Sequence, residues 1–170
     1  IDTSNRFNVG TGALTVEGWI YPIGGGTYQG VMGRWWANAG GNNVFDIRYQ
    51  SGDISGNWGV HDGSIRDSGQ NIAENTWSHI AWTRDGSGNN TLYLNGTQSS
   101  TFTSSNNVSL NTNPIMFGVT DSGTGYLFNG YIDEVRLSTV QRYTGNFTPN
   151  QVETVSATGS FEGATITASS

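Results

Sequence analysis

The 170-residue chain contains no cysteine and no lysine, only three prolines and two methionines, and only 12% charged residues. Each shortage removes a class of protein. Without cysteine there is no disulfide framework and no thiolate metal site. Packed side chains must therefore supply the core, and a chain of this length can bury enough apolar surface as one domain. With no lysine, all seven cations are arginine, and the net charge is −6 with a pI near 4.6. That surface has no basic footprint for a phosphate backbone, so nucleic acid is not an expected partner. There is no apolar run of membrane-spanning length and no basic amphipathic stretch, so membrane insertion is not expected either. The chain opens on Ile1 with no signal-like segment and reads as a piece of something longer.

What is present belongs to a β-protein. Aromatics reach 12%, with six Trp and seven Tyr, set among 25 Gly and many Asn, Ser and Thr. Turn residues recur too often for a sustained 3.6-residue pattern, while short alternating runs recur at the spacing of sandwiches and barrels. In LTVEGWIY (Leu14 to Tyr21), Leu14, Val16, Gly18 and Ile20 share one face, and Thr15, Glu17, Trp19 and Tyr21 share the other. Further strands are predicted over residues 30–36, 43–49, 57–61, 77–84, 91–94, 97–103, 114–120 and 126–137. Asn95-Gly96 supplies the two positive-φ residues of a type I′ hairpin turn. Beyond Pro149 the chain turns polar. Residues 1–150 are expected to form one domain, and 151–170 a Ser/Thr-rich tail with one further strand hinted at by Phe161 and Ile166.

Four phrases, in order, resemble the concanavalin A-like superfamily in its laminin-G-like branch. They are LTVEGWIYP (Leu14 to Pro22), GVMGRWW (Gly30 to Trp36), WSHIAWTRDGSGNNTLYLNG (Trp77 to Gly96) and GYIDEVRLS (Gly130 to Ser138). The closing phrase RYTGNFTP (Arg142 to Pro149) looks like the ending of such domains in bacteriophage structural proteins. The resemblance implies two antiparallel sheets packed face to face as a jelly-roll sandwich. It also implies rim loops and a concave face of the sort that binds glycans or calcium.

No catalytic pattern stands out. A glycosidase needs two carboxyls converging across a groove, one of them protonated. The one adjacent acidic pair, Asp133-Glu134, points to opposite faces of its strand. His79, mid-strand, is read as structural, and His61 as exposed near a turn. The loop from Asp85 to Asn90 and the loop holding Asp121 are dense in oxygen donors, so Asp85 and Asp121 are the candidate ligands for one calcium ion. Both loops are also ordinary turn chemistry.

Sugar recognition sets aromatic faces against the apolar side of a pyranose, flanked by hydrogen-bonding side chains. Trp19, Trp77 and Trp82 fall within the family phrases and are assigned to packing. Adjacent rings on a strand face opposite ways, so with Trp35 inward Trp36 is left for the other face. Trp36, Trp58, Tyr28 and Tyr49, with Asp46 and Arg48, form the expected binding surface.

The expectation is a non-catalytic module on a virion surface or otherwise extracellular, recognising a glycan or cell-surface receptor. The alternative is a decoration or assembly domain whose aromatics are buried by neighbouring virion subunits or in a homo-oligomer. A glycan hydrolase ranks third.

Overall fold

The computed structural model describes residues 9–25, 28–34, 45–51, 55–61, 65–108, 115–119, 126–150, 154–158 and 165–169; the side chains of 34, 45, 51, 55–61, 65, 154–158 and 165–169 fall outside that description. The described strands are β1 (Leu14–Pro22), β2 (Gln29–Arg34), β3 (Phe45–Ser51), β4 (Ser55–His61), β5 (Ile65–Ala73), β6 (Ser78–Arg84), β7 (Asn89–Leu94), β8 (Thr97–Thr103), β9 (Met116–Phe117), β10 (Gly130–Ser138), β11 (Thr154–Thr158) and β12 (Thr165–Ser169). Ten of them build two five-stranded antiparallel sheets. The first has the order β10-β1-β6-β7-β8 and the second β5-β4-β3-β2-β9, while β11 and β12 pair with each other as a separate hairpin.

The core lies between the sheets, filled by the alternate residues that the sequence marks. Leu14, Val16, Ile20, Ile80, Trp82 and Leu92 come from the first sheet, and Val31, Met32, Ile47, Tyr49 and Ile72 from the second. Val31 and Met32 are neighbours yet both buried, because a register shift between Gly30 and Met32 breaks the pleat against β3. The Trp82 indole N–H donates to Asn90 Oδ1 at 2.9 Å, so its polar edge is satisfied inside the core.

Fully buried Arg84 ends β6. It donates to the Gly10, Gly12 and Asn106 carbonyl oxygens, each at 2.8 Å, and so ties the segment before β1 to the one after β8. At the other end of the first sheet, Asn95 and Gly96 take φ values of 50° and 76°, as the hairpin between β7 and β8 requires.

After β10 the chain turns back as an extended strap, residues 139–150, across the outer face of the first sheet. Thr15 Oγ1 donates to the Val140 carbonyl at 2.8 Å and accepts from the Arg142 amide at 2.9 Å. The Phe147 amide donates to the Gly96 carbonyl at 2.9 Å, and the Trp19 indole N–H to the Asn150 carbonyl at 2.9 Å. Gly96 is needed twice over, because a Cβ there would strike the Phe147 carbonyl oxygen. The closing phrase of the sequence is thus a structural cover. It explains why both faces of β1 are buried where alternation alone implies one.

Candidate functional site

Under the strap lies a polar cluster around Glu17, which is 2% exposed. Arg136 Nε donates to Glu17 Oε1 at 2.6 Å and the Tyr143 hydroxyl to Oε2 at 2.7 Å. His79 Nε2 stands 3.4 Å from Oε2 and Arg142 Nε 3.4 Å from Oε1. Burial pushes the carboxyl up, but the hydrogen bonds from His79, Arg136 and Tyr143 and the Arg136 charge outweigh it and hold Glu17 at about 2. Aromatic rings close over the cluster. Tyr143 stacks on Phe147 at 3.5 Å, and Phe147 meets His79 and Tyr93 edge-on. His79 is buried as expected, although its Nδ1 finds no partner among the described residues.

The outer face of the second sheet differs. β3 alternates, so Ile47 and Tyr49 enter the core while Asp46 and Arg48 face outward. Arg48 grips Asp46 from Nε and NH2 at 3.1–3.2 Å. Asp46 is 2% exposed, and burial raises its carboxyl to about 6 against the pull of Arg48. The Arg48 guanidinium lies 5.9 Å from the Tyr28 ring centre, and Tyr28 meets Tyr126 edge-to-face at 6.2 Å. Both rings are open, at 41% and 52% exposure. The Gly30 amide donates to the Tyr126 carbonyl at 2.7 Å, which fixes the Tyr126 segment beside β2.

The expected binding surface therefore divides. Tyr28, Arg48 and Asp46 come together. Tyr49 does not join them: it is fully buried, its hydroxyl donates to Glu74 Oε1 at 3.1 Å, and burial followed by the Glu74 charge pushes its ionisation up. Positions 46, 48 and 49 cannot share one face of a strand. Trp58 stands opposite Tyr49 in register, but its side chain lies outside the described residues, as do Trp35, Trp36 and Asp121. His61 pairs with Asp46 along the backbone, again without a described side chain. Asp85 caps its own turn, accepting from the Ser87 and Asn89 amides at 2.8 Å and from Asn89 Nδ2 at 2.7 Å. Among the described residues no group of three His, Cys, Asp or Glu gathers to hold a metal ion. Tyr126 was not singled out by sequence; its one signal was an aromatic after a Gly-rich loop.

Two antiparallel sheets around one core, a type I′ hairpin and an outer-face cover define a β-sandwich of the concanavalin A-like kind. Residues 1–144 match the laminin-G-like family of the Concanavalin A-like lectin/glucanases superfamily, and the chain belongs to that family. No curated protein matches it in sequence. Among solved structures it is similar to a candidate carbohydrate-binding protein from Bacteroides ovatus, at 20% identity and TM-score 0.64, covering 79% of this chain and 39% of that one. Domain 4 of the extracellular arabinanase AbnA from Geobacillus stearothermophilus, solved with arabinotriose, matches at 21% identity and TM-score 0.55, over 73% of this chain and 59% of that one. The CBM40 domain of a Ruminococcus gnavus IT-sialidase matches at 14% identity and TM-score 0.61, covering 80% of each chain. At these identities the likeness is one of fold, and the chain spans 39% and 59% of the first two proteins, less than two thirds of either.

Proposed function

We propose that this domain is a non-catalytic carbohydrate-binding module whose contact surface is the outer face of the second sheet around Tyr28, Tyr126 and Arg48. The observation that carries the reading is the open Tyr28–Tyr126 pair beside a cation anchored by a buried carboxylate. Aromatic faces take the apolar side of a sugar ring, and a fixed guanidinium donates to its hydroxyls. Carbohydrate-binding proteins and modules among its structural neighbours support that ligand class. A binding role also fits the state of Glu17, since a glycosidase acid needs a raised carboxyl and this one is held at about 2. Display on a virion surface or elsewhere outside the cell is part of the same proposal and rests on the sequence resemblance of residues 142–149 alone.

A glycan microarray probed with the full chain, with calcium and with chelator, tests the reading. Wild type should bind a defined set of glycans, and the Tyr28→Ala/Tyr126→Ala variant should lose them. Blank arrays under both conditions overturn the function, and undiminished binding by the variant overturns the site. Dependence on calcium would support Asp121 and Asp85 as its ligands.

A further inference from the structure

We propose that the outer face of the first sheet carries a second carbohydrate-contacting site, a polar cleft continued by an aromatic row, and that its ligand is a neutral oligosaccharide. The cleft opens beside Asn150. It has a volume of about 290 Å³ and is walled by Trp19, Glu134, Arg136 and Tyr143, with Glu17 and His79 at its base. Beyond it three rings line up across three neighbouring chain segments. Tyr131 stands directly opposite Tyr21 in the β1–β10 register, with ring centres 5.7 Å apart, and Tyr21 meets Trp77 at 5.5 Å. Tyr21 and Trp19 lie two apart on β1, so cleft and row share one face. Tyr131 is 60% exposed, against 9% for Trp19, whose indole is capped by Asn150. Residues 139–150 thus cover one part of this face, and Tyr131 in the row stays open.

The backbone is shaped around the cleft. Register slips between Glu17 and Trp19 against β10, and Glu134 at the slip takes a left-handed φ of 48°. A non-glycine residue held there is an unfavourable conformation, and such positions concentrate at functional sites. Here the bulge sets the exposed Glu134 carboxylate on the cleft wall. Glu17 already accepts from Arg136 and Tyr143 and pairs with Arg142, so Glu134 is left as the carboxylate available to a ligand. A carboxylate acceptor beside three rings suits a hydroxyl-rich chain with an apolar face. Arg136 on the same wall is engaged by Glu17, so an acidic sugar would meet the Glu134 carboxylate in a protein of net charge −6.

This site shares its ligand class with the surface at Tyr28 but none of its residues, so either can fail alone. Native gels cast with neutral polysaccharides (arabinan, xylan, mannan and mixed-linkage β-glucan) distinguish them. The full chain is run as wild type, as Tyr131→Ala/Glu134→Gln and as Tyr28→Ala/Tyr126→Ala. Circular dichroism checks the fold, and size exclusion checks self-association. Retardation of wild type in at least one gel, weakened about fivefold or more by Tyr131→Ala/Glu134→Gln, is expected for stacked rings. If that variant migrates like wild type in every gel, the second site is wrong, and a loss confined to Tyr28→Ala/Tyr126→Ala leaves the first reading standing. A loss confined to Tyr131→Ala/Glu134→Gln does the reverse. No retardation of wild type in any gel overturns this proposal, and with binding on the glycan array it leaves the first intact. A wild-type dimer that Tyr131→Ala dissociates would assign the row to a second copy of the chain instead.

Discussion

On the first sheet Glu17 is buried among Arg136, Tyr143, His79 and Arg142; on the second, Asp46 is also buried and held by Arg48. Burial raises Asp46 to about 6, but at Glu17 it is outweighed by the surrounding donors and the carboxyl sits at about 2. Asp46 lies deeper and faces one cation, whereas Glu17 is held first by His79 on β6 and Arg136 on β10, with Tyr143 of the strap adding to them. Tyr143 and Arg142 come from residues 139–150, which lie over the first sheet. Around Glu17 the first face is thus covered by the chain itself, while the second presents Tyr28 and Tyr126 to solvent.

The largest expected effect breaks the covered face. Glu17→Ala leaves buried His79 and the Tyr143 hydroxyl without their acceptor, while Arg136 and Arg142, each more than a third exposed, can turn to solvent, so it should cost about 3 kcal/mol. Asp46→Asn keeps the shape and removes a buried charge that the fold already disfavours, so at pH 7 it should change stability by no more than about 1 kcal/mol. Urea unfolding followed by Trp fluorescence reads both, as midpoint shifts at constant slope. Equal losses would mean that the donors around Glu17 contribute nothing beyond an ordinary ion pair.

Next in size is Gly96→Ala. It places an L side chain at φ 76° and drives a Cβ into the Phe147 carbonyl, so about 2 kcal/mol or more should be lost. Limited proteolysis should then cut within 139–150 while the core of both sheets resists. Unfolding with no strap cleavage would show that strap and sheet open together.

How much of this was legible beforehand depends on the pattern each element carries. β1, β6 and β7 announce themselves by alternation, and Asn95-Gly96 by its turn chemistry. β5 (IRDSGQNIA) was missed because most of its residues are polar; only Ile72 and Ser68 among its described side chains are buried. The tail was expected to hold one strand and forms two, β11 and β12, paired with each other. Burial of Glu17 could not be read from β1, because the residues that cover it lie more than a hundred positions downstream. Alternation did put Glu17, Trp19 and Tyr21 on one outward face, which is where the cleft and the aromatic row lie. Tyr49 was misplaced for a local reason: grouping by closeness in sequence ignored the pleat that separates it from Asp46 and Arg48.

The two carboxylates also predict opposite responses to acid. Glu17 is depressed from 4.5 to about 2, so its stabilisation is complete above about 4.5 and is lost as pH falls toward 2. Asp46 is raised from 3.8 to about 6, so the folded state takes up a proton first, and stability rises as pH falls from about 6 toward 3.8. Wild type should therefore be slightly more stable near pH 5 than at pH 7, and weaker again below pH 4. Asp46→Asn should remove the rise and leave the fall; Glu17→Gln should flatten the fall. Denaturation midpoints between pH 2.5 and 7.5 check both signs.

The smallest effect on stability is expected where the effect on binding is largest. Tyr28 and Tyr126 are exposed and touch each other, and Tyr28 also meets Arg48, so their replacement by Ala should shift stability by about 0.5 kcal/mol or less. A ring that stabilised the fold would show a larger loss, as Trp82→Ala in the core should, at about 3–5 kcal/mol. A melting temperature unchanged in the Tyr28→Ala/Tyr126→Ala variant, together with lost glycan retention, would separate an open recognition face from a covered structural one. A matching loss of stability would instead make the second face a packed surface, and the contrast between the two sheets would disappear.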